Sequence, residues 1–238
     1  MKTNICFIGA GAMAESLIQG WLRSKTVHPS QIIVTNQSNN ERLAQLKAEY
    51  HVRTTRNIDA FFSVEPTILI LACKPHNWLD AFTPFIPYLN KRTTILSVMA
   101  GVTTKSIEEA MKRKLPVIRT MPNTSASVCE SMTAISFGRH VNDVTKKEIN
   151  ELLLGVGDTA IVNEEQMDAM TALVGTGPAY IYYLMEAMEI AAEKMGIDYP
   201  LAKQLVAQTL RGASTRIQQT DKHPAELYKQ VMSPGGTT

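Results

Sequence analysis

Short apolar runs alternate with amphipathic stretches over the first two thirds of the chain. The apolar run at 5–8 ends directly at Gly9, and apolar residues then recur with the spacing of a helix over 13–24. The same alternation predicts further strands at 32–34, 67–71, 94–98 and 116–119. Helices are predicted between these strands at 41–49, 77–85 and 104–112. Strands that alternate with helices form a parallel sheet covered by helices on both faces, so the pattern predicts an α/β fold.

The pattern changes near residue 163, after which no strand pattern remains. Helices are predicted at 164–173, 179–195 and 201–218, and a last short helix begins at His223-Pro224. We therefore predict two domains, an α/β dinucleotide-binding domain over 1–163 and a helical domain over 164–238. The helix at 179–195 is apolar on most of its sides, and such a helix has to be enclosed. A domain of this size offers little cover, so we expect a homodimer or a higher homo-oligomer.

Composition and charge narrow the class of protein. The chain has 238 residues, of which 45% are apolar and 19% are charged, which suits a folded core and excludes intrinsic disorder. A formal charge of +2 gives no overall field that attracts nucleic acid or an anionic membrane. The three cysteines lie far apart without a CxxC pair, which argues against disulfides and metal sites and favours a reducing compartment. No signal peptide or membrane-spanning run is visible, so we expect a cytoplasmic protein.

The first motif that carries chemistry is the glycine-rich turn after the first strand. It has the G-x-G-x-x-A form of the dinucleotide fingerprint, which ends at Ala14, a small residue that lets the helix pack closely on the sheet. The helix start offers free N–H groups and the positive end of its dipole to phosphates. A purely structural turn is the alternative, but the position between a strand and a helix favours nucleotide binding. The predicted cofactor contacts in this turn are Gly9, Ala10, Gly11, Ala12 and Met13.

The end of the second strand indicates which dinucleotide binds. An NAD-binding domain commonly holds the ribose 2′-hydroxyl with an Asp or Glu there, whereas this chain has Asn36 and no carboxylate before Glu41. Without that carboxylate a 2′-phosphate meets no repulsion, and amide or hydroxyl groups can donate to its oxygens. We therefore predict NADPH as the cofactor, with NADH as the weaker alternative. The nearest arginine along the sequence is Arg42.

Three further strand exits and two glycine-rich loops complete the candidate motifs. Open α/β sheets bind ligands at the carboxyl ends of their strands, which here read Ala72-Cys73-Lys74-Pro75, Met99-Ala100-Gly101-Val102 and Met121-Pro122-Asn123-Thr124. Each by itself is an ordinary turn, but together they fit one edge of a cofactor trough. The segment Gly175-Thr176-Gly177-Pro178 has the composition of a helix break. The segment Ser233-Pro234-Gly235-Gly236-Thr237-Thr238 is either a flexible tail or a nest of N–H groups for a small carboxylate.

These motifs, in this order along the whole chain, resemble the pyrroline-5-carboxylate reductase family. The segments 175–180 and 233–238 carry the resemblance most specifically. It implies an N-terminal Rossmann-like domain followed by a helical dimerisation domain, with the cofactor domain of one subunit facing the helical domain of its partner. The family usually has Ser where Thr176 stands, often Pro at Ser125 and commonly Arg at Gln37. The last of these departures weakens the prediction of a 2′-phosphate site.

The resemblance implies hydride transfer from NADPH to the C=N carbon of Δ1-pyrroline-5-carboxylate, which yields L-proline in the last step of proline biosynthesis. Thr238 is then the catalytic candidate, because its hydroxyl would stabilise the ring nitrogen or relay a proton to it, and Asp221 would orient Thr238. The substrate carboxylate would bind at Ser233, Gly235, Gly236 and Thr237. Beyond the fingerprint, the expected cofactor contacts are Asn36, Asn57, Ala72, Lys74, Pro75, Ala100, Gly101 and Asn123.

Two other functions stay open at this point. Another imine or β-hydroxyacid reductase could use the same architecture, but such enzymes commonly place a lysine on the first long interdomain helix, where this chain has small and apolar residues until Glu193-Lys194. A regulatory NADP-binding paralogue without turnover is the non-enzyme alternative. The family also continues past the glycine loop with further helix. We therefore expect a chain that ends at Thr238 to fold and bind NADPH but to catalyse poorly, because its loop is not held in place.

Overall fold

The computed structural model describes residues 3–233 and 235–236, and within them eight strands form one sheet. The strands are β1 (Ile5–Ile8), β2 (Ile32–Thr35), β3 (Arg53–Thr54), β4 (Ile68–Leu71), β5 (Thr94–Ser97), β6 (Val117–Met121), β7 (Ser131–Phe137) and β8 (Gly157–Ile161). Their order across the sheet is β3-β2-β1-β4-β5-β6-β7-β8.

Ten α-helices occupy the same described residues. They are α1 (Ala12–Arg23), α2 (Asn40–Tyr50), α3 (Ile58–Phe62), α4 (Trp78–Phe82), α5 (Thr104–Met111), α6 (Asp143–Leu154), α7 (Met167–Met170), α8 (Gly177–Lys194), α9 (Tyr199–Gln218) and α10 (Pro224–Val231). Several begin at a capping side chain that accepts a hydrogen bond from the first turn, as Thr103 does from the Ser106 N–H at the start of α5 (3.1 Å). Within the described part of the chain, no helix is both long and apolar enough to cross a membrane.

The order of the strands in the sheet reverses beside β1. β1 lies between β2 and β4 and runs parallel to both, with Ile5 opposite Ile32 on one side and Ile68 on the other. β1 to β6 are all parallel, whereas β7 pairs with β6 in the antiparallel sense and β8 runs parallel to β7. The chain therefore reverses its course across the sheet between β1 and β4, which is the switch point where such sheets bind ligands. The predicted fold class, a Rossmann-like sheet domain followed by helices, is confirmed.

The central strands are buried on both faces, because successive side chains point to opposite sides of the sheet. On one face Phe7 packs against Trp21 of α1, with ring centroids 6.1 Å apart. On the other face Cys6 belongs to the cluster around Phe61. The Trp21 indole donates to the Leu152 carbonyl (2.8 Å) and so joins α1 to α6. These two clusters hold the strand ends that carry the predicted site.

The chain separates into two compact units, Met1–Pro178 and Ala179–Thr238. In the described residues of the second unit, only three apolar side chains of the helices are buried, namely Ala192, Ala202 and Val206. Large apolar side chains are exposed on the same helices, among them Tyr180, Tyr183, Leu201 and Leu205. An exposed apolar surface of this extent is typical of an interaction site. The domain boundary at residue 163 stays a prediction.

The sequence pattern missed three strands and the helices α3 and α6, and two of the helices that it predicted have a different form. It missed β3, which has two residues, and it missed β7 and β8, which carry polar residues among their apolar ones. The single helix predicted at 77–85 is instead α4 followed by a 3₁₀ helix at Thr83–Tyr88, because two prolines there remove backbone donors. The helix predicted at 164–173 consists of a 3₁₀ turn, α7 and a π-turn at Thr171–Gly175.

Candidate functional site

Gly9 brings the ends of three strands together. It follows β1 with φ at +116°, and its N–H donates to the Thr35 carbonyl at the end of β2 (2.9 Å). A Cβ atom on Gly9 would collide with the Ala72 carbonyl just beyond β4. Any side chain is therefore excluded both by the backbone conformation and by the neighbouring backbone. The glycine turn thus lies at the switch point of the sheet.

The start of α1 leaves space and free donors for an anion. Gly11 is the N-cap residue, no side chain caps the helix, and a Cβ on Gly11 would meet nothing within 4 Å. The first N–H groups of a helix, here from Ala12 and Met13, have no acceptor inside the helix. Ala14 is fully buried, so the helix approaches the sheet closely. Open backbone and unpaired amides at a helix start fit a pyrophosphate.

Asn36, at the end of β2, presents an acceptor without a donor. Its Nδ2 donates to the Asn39 carbonyl (2.7 Å), whereas its Oδ1 is buried and has no hydrogen-bond partner within the described residues. Buried polar atoms are almost always paired, so this unpaired acceptor needs an explanation. A ribose hydroxyl is a donor of the right kind. This oxygen, together with the open backbone at Gly11, fits a bound dinucleotide.

Arg42, the arginine nearest to this loop in the sequence, is already engaged. Its Nε donates to the Ala10 carbonyl (2.9 Å), its Nη1 donates to Gln45 Oε1 (2.7 Å), and its Nη2 forms an ion pair with Glu15. The Tyr50 hydroxyl donates to the other oxygen of Glu15 (3.2 Å), and burial, followed by the neighbouring carboxylates, raises the pKa of Tyr50. Arg42 therefore ties α2 to the glycine turn and has its charge neutralised there.

The exits of β4 and β5 lie on the same edge of the sheet as Gly9, because these strands run parallel. The Ala72 N–H donates to the Ile8 carbonyl (2.9 Å), and the Val98 N–H donates to the Leu71 carbonyl (3.1 Å), so neighbouring exits contact each other. The predicted contact residues that the structure brings to these two exits are Ala72, Lys74, Pro75, Ala100 and Gly101.

Two further predicted contact residues also organise the local backbone. Asn57 follows β3 and caps α3, with its Oδ1 accepting from the Ala60 N–H (2.8 Å). Asn123 follows β6, and its Oδ1 accepts from the Ser125 N–H (3.0 Å). The remaining Asn123 group, Nδ2, donates to the Val174 carbonyl (3.2 Å). Asn123 therefore connects the exit of β6 to the π-turn 51 residues later in the chain.

The π-turn is the part of the site whose role the sequence did not predict. The segment Gly175-Thr176-Gly177-Pro178 has the composition of a helix break, yet Gly175 packs so closely on β6 that a Cβ would lie 3.0 Å from Met121 Sδ. The Thr176 hydroxyl donates to the Thr171 carbonyl (3.1 Å) and is exposed. Single π-turns are frequent at functional sites. The contact depends on residues far apart in the sequence, and no local pattern indicates it.

A buried ion-pair network supports this segment, and the sequence analysis missed it as well. Arg119 of β6 is 2% exposed, and it binds Glu164 Oε1 through Nη1 (3.1 Å) and Asp168 Oδ1 through Nη2 (2.8 Å). The second oxygen of Glu164 accepts from the Thr104 hydroxyl (3.0 Å). An arginine inside a buried strand has to be paired, and this was the sequence signal that could have revealed the network. The network anchors the 3₁₀ turn and α7 to the sheet.

The predicted substrate loop is only partly within the described residues. The Gly236 N–H donates to the Ser233 carbonyl (2.9 Å), and Gly235 has φ at +72°, so the loop forms a tight turn in which the Gly236 amide is already used. Asp221 is exposed and precedes α10. Thr237 and the catalytic candidate Thr238 lie outside the described residues.

Comparison with known proteins gives two family models that match consecutive parts of the chain. The model described as NADP oxidoreductase coenzyme F420-dependent matches residues 4–101, and the model described as pyrroline-5-carboxylate reductase dimerisation matches residues 164–238. Among solved structures, a Plasmodium falciparum pyrroline carboxylate reductase with NADP bound is similar with a TM-score of 0.89 at 25% identity, covering 99% of this chain and 87% of that one. A Coxiella burnetii pyrroline-5-carboxylate reductase has a TM-score of 0.83 at 32% identity, covering 100% and 87%.

Curated relatives agree with these structures. Pyrroline-5-carboxylate reductase 2 of Bacillus subtilis is 44% identical over 235 residues, which cover 99% of this chain and 84% of that protein. Pyrroline-5-carboxylate reductase 1 of the same organism is 40% identical, with coverage of 100% and 80%. An Aquifex aeolicus prephenate dehydrogenase, at 12% identity and a TM-score of 0.60, shares the fold alone. On the strength of this identity over nearly its whole length, the chain belongs to the pyrroline-5-carboxylate reductase family.

Proposed function

We propose that the chain reduces the C=N bond of Δ1-pyrroline-5-carboxylate to L-proline with NADPH, the last step of proline biosynthesis. Family membership supports this reaction, and NADP is bound in the solved structure of the Plasmodium falciparum relative. The observation that carries the proposal on this chain's own residues is the edge of the sheet at the switch point. There Gly9 admits no side chain, Gly11 leaves open backbone, and Asn36 holds an acceptor without a donor.

Different residues along this edge bind different parts of the cofactor. The backbone of Gly9, Ala10, Gly11, Ala12 and Met13 binds the pyrophosphate, and Asn36 accepts from a ribose hydroxyl. Asn57 and the exits of β4, β5 and β6 line the path of the cofactor through Ala72, Lys74, Pro75, Ala100, Gly101 and Asn123. When bound, NADPH supplies the hydride from its C4 carbon. The protein contributes orientation, because the parallel exits hold the two ends of the cofactor at fixed positions.

The substrate offers two groups to the C-terminal loop, a carboxylate and a ring nitrogen. We expect Ser233, Gly235, Gly236 and Thr237 to bind the carboxylate through N–H and hydroxyl donors. For this, the Gly236 N–H has to leave the Ser233 carbonyl to which it donates in the turn. As the imine carbon receives the hydride, the ring nitrogen becomes an amine and needs a hydrogen-bond donor or a proton. The Thr238 hydroxyl supplies that donor, and Asp221 orients it.

The helices of residues 164–238 form the contact between subunits, and the enzyme is a homodimer or a higher homo-oligomer. The family model that matches this segment is a dimerisation model, and the exposed apolar side chains of α8 and α9 supply the surface. We place the enzyme in the cytoplasm, because its three cysteines are all unpaired, which suits a reducing compartment.

The proposal is tested by a stoichiometric assay. Purified protein is given NADPH and pyrroline-5-carboxylate, and we expect one proline for each NADPH oxidised. The matched variant is Gly11→Val, which has room for its side chain in the protein but places it on the path of the pyrophosphate. It should keep the unfolding temperature and lose NADPH binding and turnover together. Tight NADPH binding without any proline would contradict the proposal and support a regulatory NADP-binding protein.

A further inference from the structure

A second arginine reaches the ribose end of the cofactor edge from a different strand. Arg56 lies two residues after β3, and its guanidinium crosses to the loop between β2 and α2. There Nη2 donates to the Gln37 carbonyl (2.6 Å) and Nη1 donates to Asn40 Oδ1 (3.3 Å). The sequence places this residue 19 positions beyond Gln37. Only the tertiary structure makes the two residues neighbours.

The pairing of β3 with β2 explains this approach. The two strands are parallel, with Val34 opposite Thr54, and the Thr55 N–H donates to the Val34 carbonyl (3.1 Å). Their carboxyl ends therefore lie side by side, and the residue that follows β3 is delivered to the loop that follows β2. Arg56 thus lies at the same loop as Asn36, whose Oδ1 is the unpartnered acceptor of the site.

Charge distinguishes Arg56 from the other arginine of this region. Arg42 is neutralised by Glu15, whereas Arg56 forms no ion pair within the described residues. The loop at 36–40 carries no carboxylate, and the next one along the chain is Glu41. The side chain of Arg56 is exposed. Of the five N–H donors of a guanidinium, two are used in holding the loop, which leaves three for a ligand.

We propose that Arg56 binds the 2′-phosphate of NADPH and is the residue that makes this chain prefer NADPH over NADH. The inference rests on the proposed function, because it specifies the cofactor of the same site. A guanidinium held at its tips by Gln37 and Asn40 is preoriented, and its remaining donors match phosphate oxygens in geometry and charge. Asn36 accepts from the neighbouring ribose hydroxyl, so Arg56 and Asn36 bind a phosphate and a hydroxyl of the same ribose.

The test compares Arg56→Gln with Arg53→Gln, which removes the same charge three residues earlier, within β3. Arg53 donates to the Ser30 carbonyl (2.7 Å) and takes no part in the cofactor edge. Binding of adenosine 2′,5′-bisphosphate, AMP, NADPH and NADH is measured by calorimetry. In Arg56→Gln we expect the two ligands with a 2′-phosphate to bind about 10- to 100-fold more weakly, as for the loss of charge-assisted hydrogen bonds. The affinities of Arg56→Gln for AMP and NADH should change less than about twofold. Arg53→Gln should leave the affinities for all four ligands within about the same margin.

Two results would overturn the inference. One is an unchanged affinity of Arg56→Gln for the bisphosphate, and the other is an equal loss for AMP and the bisphosphate, which would show that Arg56 only supports the loop. Because these binding measurements need no turnover, they test the role of Arg56 independently of the proposed reaction. Selective loss of the 2′-phosphate ligands in a protein that forms no proline would uphold the inference and contradict the function, and proline formation without that selectivity would do the reverse.

Discussion

Replacement of Glu164 by alanine is expected to destabilise the sheet domain strongly, and replacement of Asp168 only slightly. Both carboxylates bind Arg119, which is 2% exposed, but Glu164 is 26% exposed and Asp168 is 82% exposed. Removing the partner of a buried charge costs about 3–5 kcal/mol when nothing compensates it. Because Asp168 still pairs with Arg119, we expect about 2–3 kcal/mol for Glu164→Ala. Replacement of the exposed Asp168 by alanine should lower the free energy of unfolding by only about 0–1 kcal/mol.

The assay is a double-mutant cycle with Arg119→Met, followed by urea unfolding and by calorimetry. In the Arg119→Met background no buried charge is left unpaired, so Glu164→Ala should cost less than about 1 kcal/mol, mostly through the lost Thr104 hydrogen bond. At about 2–4 °C per kcal/mol for a chain of this size, Glu164→Ala alone should lower the Tm by roughly 4–12 °C. Equal losses of stability in the two backgrounds would refute the reasoning, because the cost would then not come from the buried guanidinium.

Three further predictions concern the cofactor edge and the helices. Gly9→Ala should destabilise the protein by about 1–3 kcal/mol in urea unfolding, since it adds a methyl group against Ala72 and strains a backbone at φ +116°; an unchanged midpoint would contradict the close approach. Asn36→Asp should shift the ratio of Kd values toward NADH, because the new carboxylate accepts from a ribose 2′-hydroxyl and repels a 2′-phosphate; equal Kd values for NADPH and NADH in the unmodified protein would refute the premise. Tyr183→Asp should weaken the oligomer in light scattering, because Tyr183 is 76% exposed on an apolar face that a partner subunit would cover with loss of water; an unchanged mass at low micromolar concentration would place the interface elsewhere.

The local hydrophobic pattern was sufficient to predict strands that are buried on both faces and helices that are buried on one face. β1, β2, β4 and β5 are short runs of buried apolar residues, and the glycine turn follows directly from the strand before it. The start of α5 was predictable because a capping side chain acts on an amide only three residues away. β7 was not predictable in this way, because it lies at the antiparallel side of the sheet and its burial depends on neighbours from other parts of the chain.

The sequence by itself determined the fold class, the place of the glycine turn and which residues follow the strands, since these depend on patterns within a few positions. Only the tertiary structure decided which charged side chains contact the loop between β2 and α2. The pairing of β2 with β3 brings Arg56 to Gln37, whereas Arg42, closer in sequence, binds the Ala10 carbonyl and is neutralised by Glu15. Asn123 likewise meets Val174 across 51 residues. Whether a charged group contacts a given partner depends on their distance in space. The order of the strands in the sheet sets that distance, and the hydrophobic pattern along the chain does not encode it.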